Sequence, residues 1–162
     1  MKIALTGHRE ERLGLPKDVS DVQWETIENW IASQIISRYY FHDECLVYCG
    51  MAEGSDMALG YVVSLLKDFG YNIKLICVCP CARYGHKAPN YEYVIDHADE
   101  IINLHETYVK DCDDERDDYM AKNCDLMLAI FDGGKNSGVW KTIKRARNYD
   151  KEILIFNPND KS

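Results

Sequence analysis

Three glycine-bearing segments in this 162-residue chain carry the side chains most able to do chemistry. The first is Thr6-Gly7-His8-Arg9, where a glycine lets the backbone approach a ligand and its neighbours offer hydroxyl, imidazole and guanidinium donors. The second is Gly50-Met51-Ala52-Glu53-Gly54-Ser55-Asp56, with two glycines four residues apart ahead of a helical pattern. It is neither a GxGxxG fingerprint nor a P-loop, because no Gly-Lys-Ser/Thr follows. Its physics is related: a helix N-terminus presents free N–H groups to an anion, unless Ser55 or Asp56 caps the helix and the segment is only a tight turn. The third, Asp132-Gly133-Gly134-Lys135-Asn136-Ser137-Gly138, closes an apolar run and opens another helix, with the composition of a phosphate or ribose cradle or of a mobile surface loop. Arg116 stands apart, in Glu115-Arg116-Asp117-Asp118-Tyr119-Met120. An arginine in a first helical turn opposes the helix dipole, which suggests that it faces something negative, either a ligand or its own aspartates.

Other chemistries fit less well. The seven cysteines are odd in number and lie within apolar runs such as Leu75-Ile76-Cys77-Val78-Cys79, as small buried hydrophobes do in a reducing compartment. A zinc site at Cys77, Cys79 and Cys81 lacks the Cys-x-x-Cys turn. The acidic run Asp111 to Asp118 lacks the calcium-loop spacing and reads as a solvated loop with a first helical turn. The expectation is therefore no metal and no cofactor. A net charge of −8 argues against long nucleic acid as a partner but allows one local anion pocket. No apolar stretch nears membrane-spanning length, and Met1-Lys2-Ile3-Ala4-Leu5 runs directly into a strand pattern without a signal-peptide core, so a cytoplasmic protein without a membrane partner is expected.

The elements that must position these residues alternate along the chain. Strands are predicted at Lys2–Thr6, Cys45–Cys49, Asn72–Cys79, Glu100–Leu104, Asp125–Phe131 and Glu152–Phe156. Helices are predicted at Val22–Tyr40, Ser55–Phe69, Tyr91–Ala98, Asp114–Asn123 and Val139–Tyr149, with about a dozen residues between Arg9 and the first of them. Leu126 to Phe131 and Ile153 to Phe156 are apolar without alternation, as strands buried on both faces are. The pattern predicts one α/β domain: a Rossmann-like, open, mostly parallel sheet of about six strands with helices on both faces. In such sheets ligands sit beyond the carboxyl ends of the strands, so the three loops should meet in one pocket there. The helix Val22–Tyr40 carries Trp24, Trp30, Tyr39 and Tyr40 around more than one face, which suggests a second buried surface and a homodimer or higher homo-oligomer.

Taken together, these segments resemble the SLOG superfamily, the Rossmann-like group named after Smf/DprA and LOG proteins, and within it the YpsA-type branch. The resemblance is carried by Leu5-Thr6-Gly7-His8-Arg9, by Gly50 to Asp56, and by Tyr108 followed by Arg116-Asp117-Asp118-Tyr119-Met120. Asp125 to Gly133 and Ser137-Gly138 complete it, in order along nearly the whole chain. It implies a sensor or sequestering protein for nucleotides and nucleotide-derived ligands, often dimeric, in settings such as nucleotide signalling or phage–host conflict. The ligand-binding residues it implies are Thr6, Gly7, His8, Arg9, Gly50, Met51, Ala52, Gly54, Ser55, Asp56, Arg116, Met120, Asp132, Gly133, Gly134, Ser137 and Gly138. Some relatives are phosphoribohydrolases, which place a glutamate where this chain has Thr142, and Ser137-Gly138-Val139 stands where the family has Gly-Gly-Thr. The expectation is thus a binder with no catalytic residue. A nucleotide or nucleoside hydrolase is the alternative, and a DprA-like nucleic-acid partner, disfavoured by the negative charge, is the second.

Overall fold

The computed structural model describes residues 1–160. Six strands, β1 (Lys2–Gly7), β2 (Cys45–Cys49), β3 (Ile73–Cys79), β4 (Glu100–Asn103), β5 (Leu126–Ile130) and β6 (Glu152–Phe156), form one sheet in the order β4-β3-β2-β1-β5-β6. Every pairing is parallel. Parallel neighbours cannot be joined by tight hairpins, so each connection crosses over a face through a helix. Helices α2 (Glu25–Tyr39), α3 (Ser55–Asp68) and α4 (Tyr91–His97) pack together on one face, while α5 (Cys112–Asn123) and α6 (Gly138–Asn148) pair on the other.

Strand residues divide between two cores by their period of two. Ile3, Leu5, Val47, Leu75, Cys77, Leu126 and Leu128 face α2, α3 and α4; Ala4, Tyr48, Ile76, Val78 and Met127 face α5 and α6. All seven cysteines are buried and unpaired. Burial pushes the Cys77 thiol up to about 12 and those of Cys79 and Cys124 up to about 11, which suppresses the reactive thiolate. No helix among the described residues is long and apolar enough to cross a membrane.

Three local features differ from the sequence reading. A short helix, α1 (Glu10–Leu13), follows Arg9 at once, closed by Gly14 in the left-handed region at φ 67°. Four residues without an apolar period leave no helical signature in the sequence. The first turn of the long helix is instead a 3₁₀ turn at Val22–Trp24, capped by the Asp21 carboxylate. Helix α5 begins at Cys112 rather than Asp114, so Arg116 lies more than one turn into the helix.

The aromatic residues of that first long helical segment make contacts within the chain, although Tyr40 stays 69% exposed. Trp24 is fully buried, and its indole N–H donates to the Pro16 carbonyl at 2.8 Å. The Trp30 ring packs on Phe156, with ring centroids 5.5 Å apart. Tyr39 and Tyr40 cluster with Tyr71 at the opposite sheet edge from the glycine loops. Replacing Trp24 with alanine should cost about 3–5 kcal/mol of stability in urea unfolding, the range for a large aromatic removed from a packed core. A cost below about 1 kcal/mol would show that Trp24 does not anchor the α2 face.

Candidate functional site

The chain leaves β1 toward β2, β3 and β4 on one side, then returns to β5 and β6 on the other. The crossovers diverge on either side of the β1–β5 junction, and that topological switch point opens a crevice at the carboxyl edge. A cleft of about 360 Å³ lies there. The end of β1 and α1 line it with Thr6, Gly7, His8, Arg9 and Arg12. The loop into α3 adds Ala52 and Asp56, α5 adds Asp113, Arg116 and Asp117, and the start of α6 adds Ser137, Gly138 and Val139.

Backbone contacts between loops set this arrangement. The carbonyl of His8 accepts from both the Ser55 amide, at 3.2 Å, and the Ser55 hydroxyl, at 2.7 Å. Gly54, at φ 89° and ψ −127°, lies so close to the first loop that a Cβ there would sit 2.7 Å from the backbone of Arg9 and Glu10. On the other side the His8 amide donates to the Ile130 carbonyl at 3.2 Å. The His8 Nε2 accepts from the Asp132 amide at 3.2 Å, and burial lowers the pKa of the ring, which favours the neutral acceptor form. The Asp132 carboxylate takes two hydrogen bonds from the Arg12 guanidinium, at 2.7 and 3.0 Å, and one from the Gly134 amide. The bond to Arg12, above all, holds Asp132 well below the usual carboxylate range.

A buried charge cluster forms the floor. Arg116 is only 5% exposed; its Nε donates to Asp117 at 2.7 Å and its Nη1 to the Gly50 carbonyl. Its Nη2 lies 3.7 Å from Asp113, and the guanidinium stands 5.4 Å from the centre of the Tyr84 ring. Asp56 accepts from the Ala52 amide at 3.3 Å. Burial drives the Asp56 carboxyl up to about 6 against the pull of Arg116, and burial likewise raises Asp117. Arg9 reaches across the mouth to donate to the Tyr84 hydroxyl at 2.9 Å. At α6, Ser137 caps the helix by accepting from the Trp140 amide, and Gly138 and Val139, whose first-turn N–H groups no intrahelical carbonyl can satisfy, line the cleft.

No protein-family model matches the chain, and no curated protein matches it either.

Of the expected site residues, Thr6, Gly7, His8, Arg9, Ala52, Asp56, Arg116, Ser137 and Gly138 line one cleft. Gly50, Gly54, Ser55 and Asp132 stand behind it: Gly50 anchors Arg116, Gly54 and Ser55 join two loops, and Asp132 holds Arg12. Met51 is fully buried with φ 63°, and Met120 packs in the core beside Tyr48 and Met127. Gly133 and Gly134 do not line the cleft. Neither Ser55 nor Asp56 caps α3, whose N-cap position is Gly54. Thr142 is buried and donates to the Gly138 carbonyl within its own helix. Asp113 and Asp117 lay in segments that the sequence reading singled out but were not counted among the site residues. The sequence reading missed Arg12, which no motif marks, and the whole loop around Tyr84. That loop follows β3 at the same sheet edge, so the strand-end rule applied to it equally well.

Asp56 supplies a test of the buried cluster. Its carboxyl keeps its proton to about 6 in the folded chain, against an ordinary value of 3.8. The folded state holds the proton more tightly, so this contribution to stability is complete below the lower value and is lost as pH rises through the upper one. Asp56→Asn removes the loss. Its stability relative to the unmodified chain should improve by about 1–3 kcal/mol between about pH 4 and about pH 7. A difference that stays constant over that range would mean that Asp56 ionises as an ordinary exposed carboxylate.

Proposed function

We propose that this cleft binds the phosphate-bearing part of a nucleotide-derived ligand, and that the protein senses or sequesters that ligand. The observation that carries this reading is the convergence at the switch point of the α6 N-terminus with Arg9 and Thr6 in one cleft. Helix N–H groups, a guanidinium and a hydroxyl are the donors that hold a phosphate on an otherwise acidic protein. A volume of about 360 Å³ falls within the range of small-molecule sites. The carboxylates of Asp56, Asp113 and Asp117 suit ribose hydroxyls, which donate hydrogen bonds.

Arg116 is a positioning residue in this reading. Two of its nitrogens are committed to Asp117 and Gly50, so it holds the α5 acids and the second loop together beneath the ligand. Arg116→Ala would leave buried acids uncompensated and cost about 3–5 kcal/mol of stability, which makes it a poor probe of binding. Arg9 is the cleaner probe.

One observation favours hydrolysis as a second reading. Asp56 is a buried cleft carboxylate whose ionisation falls close to neutral pH, the property of a general acid or base. Binding and turnover separate in one experiment. The chain is incubated with AMP, ADP-ribose and cyclic nucleotides, melting is followed, and the compounds are recovered by chromatography. Binding predicts stabilisation with intact ligand, weakened about ten- to a hundredfold by Arg9→Ala through loss of a charge-assisted contact. Catalytic release of free base or phosphate, abolished by Asp56→Asn, would make the protein an enzyme; no stabilisation by any of these compounds would remove the nucleotide reading.

A further inference from the structure

Beyond the Arg9–Tyr84 contact a second cleft of about 290 Å³ opens, sharing Arg9 and Ala52 with the first. Its lining is mostly cationic, whereas that of the first mixes three arginines with three aspartates. Arg83, His86 and Lys87 join Arg9 there, and Glu53 is its sole carboxylate, itself 3.9 Å from Lys17. Among the described residues neither Arg83 nor Lys87 has a carboxylate within ion-pair distance, although the chain as a whole carries a net charge of −8. Unpaired cations gathered in one concavity of an acidic protein focus a local positive potential that attracts an anion.

The loop that presents them is held at several points. The His86 amide and its Nδ1 both lie within hydrogen-bond distance of the Arg83 carbonyl, at 3.0 and 2.9 Å. The Ala82 amide donates to the His105 carbonyl at 3.1 Å, and Ala88 to Gly85 at 2.9 Å. Arg83 itself sits at φ 61°, a conformation that costs an ordinary side chain energy and is retained where the surroundings impose it. Gly85 abuts the Met51 carbonyl, where a Cβ would fall 2.1 Å from the oxygen. The loop after β3 is thereby tied to the loop after β2, and the two clefts keep a fixed relation across Ala52.

We propose that the second cleft binds a second phosphate of the ligand held in the first, so that the ligand is a nucleotide with two phosphates separated by a nucleoside, as in a dinucleotide. This rests on the reading of the first cleft as a phosphate site. One ligand is implied, rather than two, because both clefts share Arg9 and each alone stands at the small end of the usual range of about 300–1,000 Å³. The nucleoside crosses over the Arg9–Tyr84 pair, with one phosphate at the start of α6 and the other among Arg83, His86 and Lys87.

Calorimetric titration of the full chain with the four nucleoside 5′-monophosphates and the four matching dinucleotides pNpN tests this. At least one dinucleotide should bind about tenfold or more tightly than its mononucleotide, the value of one added charge-assisted contact. The exposed double substitution Arg83→Ala/Lys87→Ala should abolish that advantage while leaving mononucleotide affinity and melting temperature unchanged. Mononucleotides bound as tightly as dinucleotides, or both weakened equally by the double substitution, would overturn the second site and leave the first standing. No binding by any of the eight compounds would overturn both.

Discussion

A central parallel strand ends in backbone groups that no hairpin can close, and the carboxyl end of β1 is where this protein meets that constraint. His8 lies at the point where the crossovers part. Its carbonyl is satisfied by the amide and hydroxyl of Ser55, and its amide donates to Ile130. These bonds fasten the loop after β1 to the loop after β2 on one side and to β5 on the other. The cleft, the burial of Asp56 and the position of Arg9 all depend on that fastening. Only glycine at position 54 allows so close an approach, since a side chain there would meet the backbone of Arg9.

The charge cluster beneath the cleft works against stability. Burying ions costs more than pairing them usually returns, and both Asp56 and Asp117 are raised by burial even beside Arg116. Apolar residues of similar volume in place of such buried ions are often neutral or stabilising. Buried acids whose ionisation is displaced, set in a concave site, mark places where structure serves a ligand. The cluster also keeps α5, the second loop and the Tyr84 ring in fixed relation through one guanidinium.

Charge is divided along the carboxyl edge. At the switch point three arginines, Arg9, Arg12 and Arg116, stand with three aspartates, whereas in the loop after β3 neither Arg83 nor Lys87 has a carboxylate within ion-pair distance among the described residues. A mixed lining suits a group with both phosphate and hydroxyls, and an unbalanced one suits a bare anion. Arg9, at the border, can serve both sides because its guanidinium presents several donors, of which one donates to the Tyr84 hydroxyl among the described residues.

What the sequence determined by itself was the architecture and the edge at which to look. Alternating apolar patterns require crossovers, crossovers require a parallel sheet, and unalternated strands such as Leu126 to Ile130 must be covered on both faces. Glycines and donors after β1, β2 and β5 then mark the carboxyl edge. Tertiary structure alone decided which way each side chain on those loops points. Met51 and Met120 lie within motif-like segments yet turn into the core, and Gly133 and Gly134 fall outside the cleft. Arg12 and Asp132 meet across 120 residues, and Tyr84 reaches Arg9 across 75. Trp24, one of several aromatics on a long segment, proved to be a core anchor. Helices and strands have fixed periods, so local sequence predicts which face a residue occupies. Irregular loops have none, and their side-chain directions are set by long-range backbone contacts such as that between His8 and Ser55, which exist only once the chain has folded.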